Sequence, residues 1–129
     1  MFKFKKEREN NCIEYKETIT DMNKEKFERY VTQMNSRLFF GKGKCYYLIG
    51  IKDNGDIKGL KSWEVLVSLF HLLSIIYQLE KVYCENIKII LFKKLKSYIM
   101  IININSNNTK YLSPEFITYS ESDSETEYD

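Results

Sequence analysis

The feature that most constrains the fold is an apolar run between two turn signals near the middle of the chain. Residues 44–52 read KCYYLIGIK, which is almost continuously apolar, as in a central strand covered on both faces. Two glycines precede the run, and Asn54 and Gly55 follow it with the tolerance for positive φ that a two-residue hairpin turn requires. The sequence therefore predicts a strand in the middle of a sheet, followed by a short return strand over residues 56–60.

Periodicity predicts the remaining elements on both sides of this strand. Residues 12–19 alternate apolar and charged side chains, which is typical of a strand with one buried face. A helix follows Asp21, whose side chain can cap it, and its apolar positions recur every three or four residues: Phe27, Tyr30, Val31, Met34 and Leu38. A second helix over residues 63–80 and two strands over 86–92 and 97–105 complete the pattern.

This order of elements predicts one α+β domain with two helices and a mixed or antiparallel sheet. The 129 residues, 43% of them apolar, supply enough material for one compact core. We divide the chain into a charged leader at residues 1–11, the domain at 12–112 and an acidic, Ser/Thr-rich tail at 113–129. The composition of the tail is that of a disordered segment, and we expect disorder from about Thr118.

The second predicted helix carries more apolar surface than a single packing face needs. We assign to the sheet the side that carries Trp63, Leu66, Val67, Phe70, Leu73 and Tyr77. Leu69, Leu72 and Ile76 widen the apolar surface beyond that side. We expect these three residues to contact a partner protein or a second copy of the chain.

Charge is distributed unevenly along the chain. All 20 basic residues and 12 of the 18 acidic residues precede Pro114, so this part carries a net charge of +8 and the remainder −6. Such a basic body suits an RNA backbone or an acidic protein surface, although solvated lysines explain the same pattern more simply. The candidate contacts, some of them beside aromatic residues that could stack on unpaired bases, are Arg37, Lys88, Lys93, Lys94 and Lys96.

Residues 32–60, TQMNSRLFFGKGKCYYLIGIKDNGDIKGL, resemble the N-terminal region of the GTP-binding protein 1 and GTP-binding protein 2 family, which is related to translational elongation factors. Residues 14–16 match its Glu-aromatic-Lys strand and residues 47–50 its Tyr-x-Ile-Gly strand, and the resemblance covers roughly residues 13–79. It implies a module that contacts RNA, the ribosome or a translation factor. Because the sequence has no Gly-x-x-x-x-Gly-Lys-Ser/Thr loop, we expect neither GTP hydrolysis nor a resident cofactor.

A more distant similarity relates the same layout to the Schlafen AlbA-like domain. The residues that match its motif are Glu9, Glu14, Lys16 and Asp53. The resemblance implies catalytic roles for Glu9, Glu14 and Asp53, with Glu14 and Asp53 holding a Mg²⁺ or Mn²⁺ ion that activates water against an RNA phosphodiester. A solvated acidic edge is the alternative interpretation of these residues.

Three functions therefore stay open. The leading hypothesis is a non-catalytic binding module for RNA or translation machinery; the alternatives are a metal-dependent ribonuclease and a homodimeric scaffold assembled through residues 63–80. The first residues lack the apolar run of a secretory signal, and the apolar window at 63–79 is shorter than the roughly 20 residues that span a bilayer. We expect a cytoplasmic protein without membrane contact.

Overall fold

Four strands and two helices make up residues 3–112, the part of the chain that the computed structural model describes. The elements are β1 (Ile13–Lys16), α1 (Lys24–Phe40), β2 (Lys44–Ile49), α2 (Ser62–Tyr77), β3 (Val82–Phe92) and β4 (Ser97–Ser106), with a 3₁₀ turn at Thr109–Tyr111. The sheet order is β1-β2-β4-β3, with β1 parallel to β2 and the other neighbours antiparallel. The predicted α+β class, mixed sheet and two helices are confirmed. The acidic tail and its expected disorder lie outside the described residues.

The helix α1 connects the two parallel strands β1 and β2. The Oδ1 atom of Asn23 accepts a backbone N–H of the first turn at 2.8 Å, so Asn23 is the N-cap and the predicted cap at Asp21 is wrong. At the other end, the N–H of Gly43 donates to the carbonyl of Leu38 at 2.8 Å, with Gly43 at a φ of 95° that glycine adopts without strain. The predicted core positions Tyr30, Met34 and Leu38 are buried.

The principal core lies between the two helices and one face of the sheet. β2 lies between β1 and β4, as its apolar run predicted. α1 packs over β2, whereas α2 packs over β4 and β3. Alternate residues of β2 and β4 point into this layer: Cys45, Tyr47, Ile49, Met100, Ile102 and Ile104.

The turn after β2 has three residues instead of the predicted two. The N–H of Gly55 donates to the carbonyl of Lys52 at 2.8 Å, and the N–H of Lys52 donates to the carbonyl of Asp56 at 2.9 Å. Gly55 takes a positive φ of 95°, whereas Asn54 does not take a positive φ. The glycine alone supplies the left-handed conformation that closes the loop.

The predicted return strand over residues 56–60 is reduced to two isolated bridges. Ile57 bridges back to the residues that follow β2, and Leu60 bridges to β4. Both N–H groups between them donate to the carbonyl of Gly50 at 2.9 Å. Strand pairing over residues 57–60 is therefore interrupted, because the chain pairs first with Ile51 and then with β4.

The helix α2 packs on the sheet through the face opposite to the predicted one. Leu72 is fully buried and Ile76 is 5% exposed, and Leu69 is half-buried against the same core. The predicted partner interface at Leu69, Leu72 and Ile76 is therefore wrong. The exposed side, here called the α2 outer face, consists of Trp63 (55% exposed), Leu66 (70%), Phe70 (68%), Leu73 (41%) and Tyr77 (87%).

Two polar residues of α2 explain this orientation. The Oγ of buried Ser68 accepts the N–H of Ile19 at 3.0 Å, and Nδ1 of His71 donates to the carbonyl of Ile19 at 2.6 Å. Both side chains thus satisfy the main chain of the segment between β1 and α1. None of the helices within residues 3–112 has the length and hydrophobicity needed to cross a membrane.

Residues 3–11, here called the strap, cross the other face of the sheet. The N–H of Phe4 donates to the carbonyl of Gly55 at 2.8 Å, and the N–H of Glu7 donates to that of Asp53 at 2.7 Å. The rings of Phe4 and Tyr15 lie 6.5 Å apart. A Cβ atom at position 55 would collide with the carbonyl of Phe4, so the glycine also permits this close approach. The strap covers a second, smaller core of Tyr15, Leu48, Ile51 and Ile99.

The two edges of the sheet differ. On β1, the N–H groups of Ile13 and Tyr15 donate to the side chains of Asn11 and Glu7, at 2.9 and 2.7 Å, so the strap satisfies this edge. β3 is 11 residues long and pairs with β4 along one side, and no other strand within residues 3–112 pairs with its opposite side. β3 is therefore the open edge of the sheet.

Candidate functional site

Glu14, the carboxylate shared by the catalytic and metal predictions, forms buried ion pairs with cations of the chain itself. It is 7% exposed, and its Oε1 accepts a hydrogen bond from Nε of Arg37 at 2.8 Å. Its Oε2 lies 3.3 Å from Nζ of Lys16, which also donates to Oε1 of Gln33 at 2.8 Å. A metal ion bound to Glu14 would therefore have to displace a cation that is already in place.

Arg37 lies at the centre of this cluster, and the residue is 6% exposed. Its Nη1 donates to the main-chain carbonyls of Arg8, Glu9 and Asn11 at 2.7, 3.1 and 3.0 Å. Its Nη2 donates to Oε2 of Glu7 at 3.4 Å. Because the guanidinium is directed at groups of the strap and of β1, the prediction that Arg37 contacts RNA or a partner is wrong.

The second carboxylate of the cluster is Glu7, which sequence analysis did not identify. The predicted residue, Glu9, contributes its main-chain carbonyl to Arg37, and its side chain is exposed. Oε2 of Glu7 accepts the N–H of Tyr15 at 2.7 Å in addition to its contact with Arg37. The strap folds back on β1, so no strand or helix period relates Glu7 to Glu14. An acidic residue among basic neighbours was the only signal in the sequence.

The environment of Glu7 disfavours its charged form. Burial raises the pKa of the Glu7 carboxyl above its ordinary value of 4.5. The N–H of Tyr15 and the charge of Arg37 oppose this increase, whereas the negative charges of Glu14 and Asp53 add to it. Burial thus outweighs the hydrogen bond from Tyr15 and the charge of Arg37 in setting the pKa of Glu7.

Asp53 lies in the exposed turn after β2, where its main-chain carbonyl accepts the N–H of Glu7. Within residues 3–112, no group of three or more His, Cys, Asp or Glu side chains is arranged to hold a metal ion. The structure therefore brings Glu7 and Glu14 together around Arg37 and leaves the Glu9 carboxylate outside. This arrangement acts as a clamp that fastens the strap to α1 and β1.

A basic cleft of about 890 Å³ lies between the segment around the turn that follows β2 and the turn that joins β3 to β4. Lys52 and Lys58 line one wall, and Lys93 and Lys94 line the other. All four lysines are exposed. Apolar side chains complete the lining: Ile57, Phe92 and Leu95.

One acidic residue also lines the cleft, and it has a basic partner. The Oδ1 atom of Asp56 lies 3.3 Å from Nζ of Lys3 on the strap. The positive charge of the four cleft lysines therefore exceeds the negative charge of the cleft lining. The ring of Phe92 packs partly on the second core and also lines the cleft. The lysine charges and this apolar lining suit a ligand that combines phosphate groups with flat, apolar bases.

The other predicted basic contacts lie close to this cleft. Lys96 is exposed in the same turn as Lys93 and Lys94. Lys88 is exposed on β3 and, because side chains alternate along a strand, shares a sheet face with Ile90 and Phe92. The structure therefore places Lys93 and Lys94 in the cleft together with Lys52 and Lys58, which were not predicted, whereas Lys88 and Lys96 lie outside its lining.

Comparison with known proteins gives partial matches. The chain is 43% identical over 63 residues to GTP-binding protein 2 of Mus musculus and of Homo sapiens, which is 49% of this chain and 10% of the relative. It is 37% identical over 67 residues to uncharacterized protein R625 of Acanthamoeba polyphaga mimivirus, covering 51% of this chain and 36% of that protein. The chain thus resembles a fragment of GTP-binding protein 2, as the sequence motifs predicted. No family model and no solved structure matches it.

Proposed function

We propose that this chain is a non-catalytic module that binds single-stranded RNA in the basic cleft. The observation that carries the proposal is that Lys52, Lys58, Lys93 and Lys94 line one cleft together with the apolar residues Ile57, Phe92 and Leu95. Lysines neutralise phosphates without regard to sequence, and an aromatic ring offers a stacking surface to any base. The ligand expected from this chemistry is a short unpaired stretch of RNA.

The overall charge supports the same ligand. The described residues 3–112 contain all 20 basic residues and 12 acidic ones, a net charge of +8. Such a field accelerates association with a polyanion and makes the affinity fall with salt. Lys88 extends the positive charge along the sheet face that leads to the cleft.

The state of Glu14 supports binding without catalysis. Both of its carboxylate oxygens contact cations of the chain, and Glu7 beside it is held by Arg37 and a β1 amide. The resemblance to a fragment of GTP-binding protein 2 fits a module without the nucleotide site, because the phosphate-binding loop is absent from this sequence. We expect the module to act in the cytoplasm, in contact with RNA of the translation machinery.

A salt titration tests this function. Fluorescence anisotropy of a labelled oligouridylate is measured with the wild type and with Lys58→Gln/Lys93→Gln/Lys94→Gln, at about 50 to 200 mM salt. Each phosphate contact to a single strand contributes about 0.7 to the slope of log K against log salt, so losing three contacts lowers the slope by about 2. The affinity at the lowest salt falls in parallel.

The matched control removes the same charge elsewhere. Lys24, Lys44 and Lys110 are exposed and do not line the cleft, and their triple replacement by Gln leaves most of the affinity and slope. If both triple variants lost affinity and slope equally, binding would depend only on the total charge and not on the cleft, which would contradict the proposal. So would a wild type that does not bind the oligonucleotide at low salt.

A further inference from the structure

We propose that the open edge of β3 and the α2 outer face form a two-fold interface with a second copy of this chain. In this dimer, the two β3 strands pair antiparallel and join the two sheets into one. The two α2 helices then lie side by side on the same face of the joined sheet. The interface reaches the end of β3 next to the cleft, and its test measures the mass of the chain without RNA, so failure of this proposal is distinguishable from failure of RNA binding.

The exposed apolar surface is large enough for such an interface. Besides the α2 outer face, β3 exposes three aliphatic side chains on the helix side of the sheet: Ile87 (40%), Ile89 (48%) and Leu91 (47%). A fully exposed aromatic side chain of this kind offers about 150–250 Å². Trp63 and Phe70 point away from the sheet, and the other six residues lie toward the proposed axis. These six leave on the order of 600 Å² of apolar surface in water, the low end of what one partner contributes to a specific interface.

The backbone of β3 supplies the second argument. Its unpaired side presents a row of N–H and C=O groups that another strand can satisfy. The opposite edge of the sheet does not compete, because the strap occupies the N–H groups of Ile13 and Tyr15. A second copy that extends the sheet would therefore pair with β3 and not with β1.

The spacing of the elements fits a pair of helices. Neighbouring strands lie about 4.8 Å apart, so the two-fold axis between two paired β3 strands lies half of that distance outside β3. The helix α2 packs over β3 and β4, about half a spacing inside β3. Its axis is therefore about one strand spacing from the two-fold axis. The two α2 axes would then be about 10 Å apart, the ordinary distance between packed helices.

The side chains of α2 fit the same arrangement. The flank with Ser68 and His71 faces the segment before α1. Because an α-helix turns by about 100° per residue, Leu66 and Leu73 lie on the flank of α2 opposite to Ser68 and His71. These two leucines therefore point over β3 toward the axis.

The sequence of β3 is self-complementary about Ile89. Antiparallel pairing centred there places Ile87 opposite Leu91 of the second copy and brings Glu85 near Lys93 at each end. Moving the centre back to residue 88 would place Lys88 opposite itself, and like charges directly opposite are unfavourable. The sequence of the open edge thus suits a second copy paired about Ile89.

The test is the mass of the full chain in solution. Size-exclusion chromatography with light scattering at about 100 µM exceeds the micromolar dissociation constants at the weak end of interfaces of this size. We expect twice the chain mass of 15.5 kDa for the wild type, and the single mass for Ile89→Lys, which places two cations together at the axis. Leu112→Lys changes a residue of similar exposure (59%) that belongs to neither α2 nor β3, and this variant should remain a dimer.

A charge-swap mixture separates a lost interface from a lost fold. Ile89→Lys and Ile89→Glu should each be monomeric, and their mixture should form a heterodimer because the two charges attract at the axis. A monomeric wild type would overturn the proposal. A dimeric Ile89→Lys, or a mixture that stays monomeric, would remove β3 from the interface and overturn it equally.

Discussion

Arg37 organises the polar contacts between the strap, β1 and α1. It donates to the carboxylates of Glu7 and Glu14 and to three main-chain carbonyls of residues 8–11. The sequence could place Glu14 on a strand, because its neighbours alternate in character. It could not show that Arg37 is buried, since its partners lie 23 to 30 residues away and belong to a segment without periodicity.

At the residue scale, the raised pKa of Glu7 predicts a pH dependence of stability. A carboxyl group whose folded pKa lies above its unfolded value contributes most below the unfolded value, near 4.5, and this contribution is lost as the pH rises through the folded value. The free energy of unfolding of the wild type minus that of Glu7→Gln should therefore fall as the pH rises above about 4.5.

Urea unfolding of both proteins across that range measures the difference. Glu17→Gln, an exposed carboxyl just after β1, serves as the control and should give a flatter profile. If this difference in the free energy of unfolding rose with pH, the ion pair with Arg37 would affect the pKa of Glu7 more than burial does.

At the element scale, α2 shows what a hydrophobic pattern leaves undetermined. Its length, position and helical character followed from the sequence, but apolar residues occur on both of its sides, so periodicity alone did not select the buried one. Ser68 and His71 interrupt the apolar pattern, yet they lie toward the interior because they satisfy the main chain at Ile19. That hydrogen bonding depends on a segment about 50 residues away.

The two faces of α2 predict opposite effects of the same substitution. Leu72→Ala removes a fully buried side chain and should lower the free energy of unfolding by about 2–5 kcal/mol. Leu66→Ala changes a side chain that is 70% exposed and should alter it by less than about 0.5 kcal/mol. Urea unfolding at low protein concentration, where association contributes little, measures both. Equal losses would contradict the observed orientation of α2.

At the scale of the whole molecule, the strap joins the first residues of the chain to the fold. The charged composition of residues 1–11 predicted a leader separate from the domain. In the structure residues 3–11 cover the second core and satisfy one edge of the sheet. The α+β class and the central strand could be predicted from local patterns, whereas this long-range closure could not.

Release of the strap is the corresponding prediction. Arg37→Met leaves Glu7 and three carbonyls without their donor and should lower the free energy of unfolding by about 3–5 kcal/mol. Hydrogen exchange should speed up at residues 3–11 and at Tyr15. Arg29→Met, an exposed position on the same helix, is the matched control and should change little. Unchanged exchange in the strap of Arg37→Met would show that Phe4 and the turn after β2 suffice to hold it.

The satisfied edge of β1 limits how far sheets of this chain can grow. A protein with two free edges can add copies at both ends and extend without limit into a filament. Here the side chains of Asn11 and Glu7 already accept hydrogen bonds from the N–H groups of β1. Once two copies have paired through β3, the joined sheet therefore has no open edge to which a third copy could add. Self-association through the sheet therefore ends at a closed pair, and fibril growth by strand addition would first require the strap to come away.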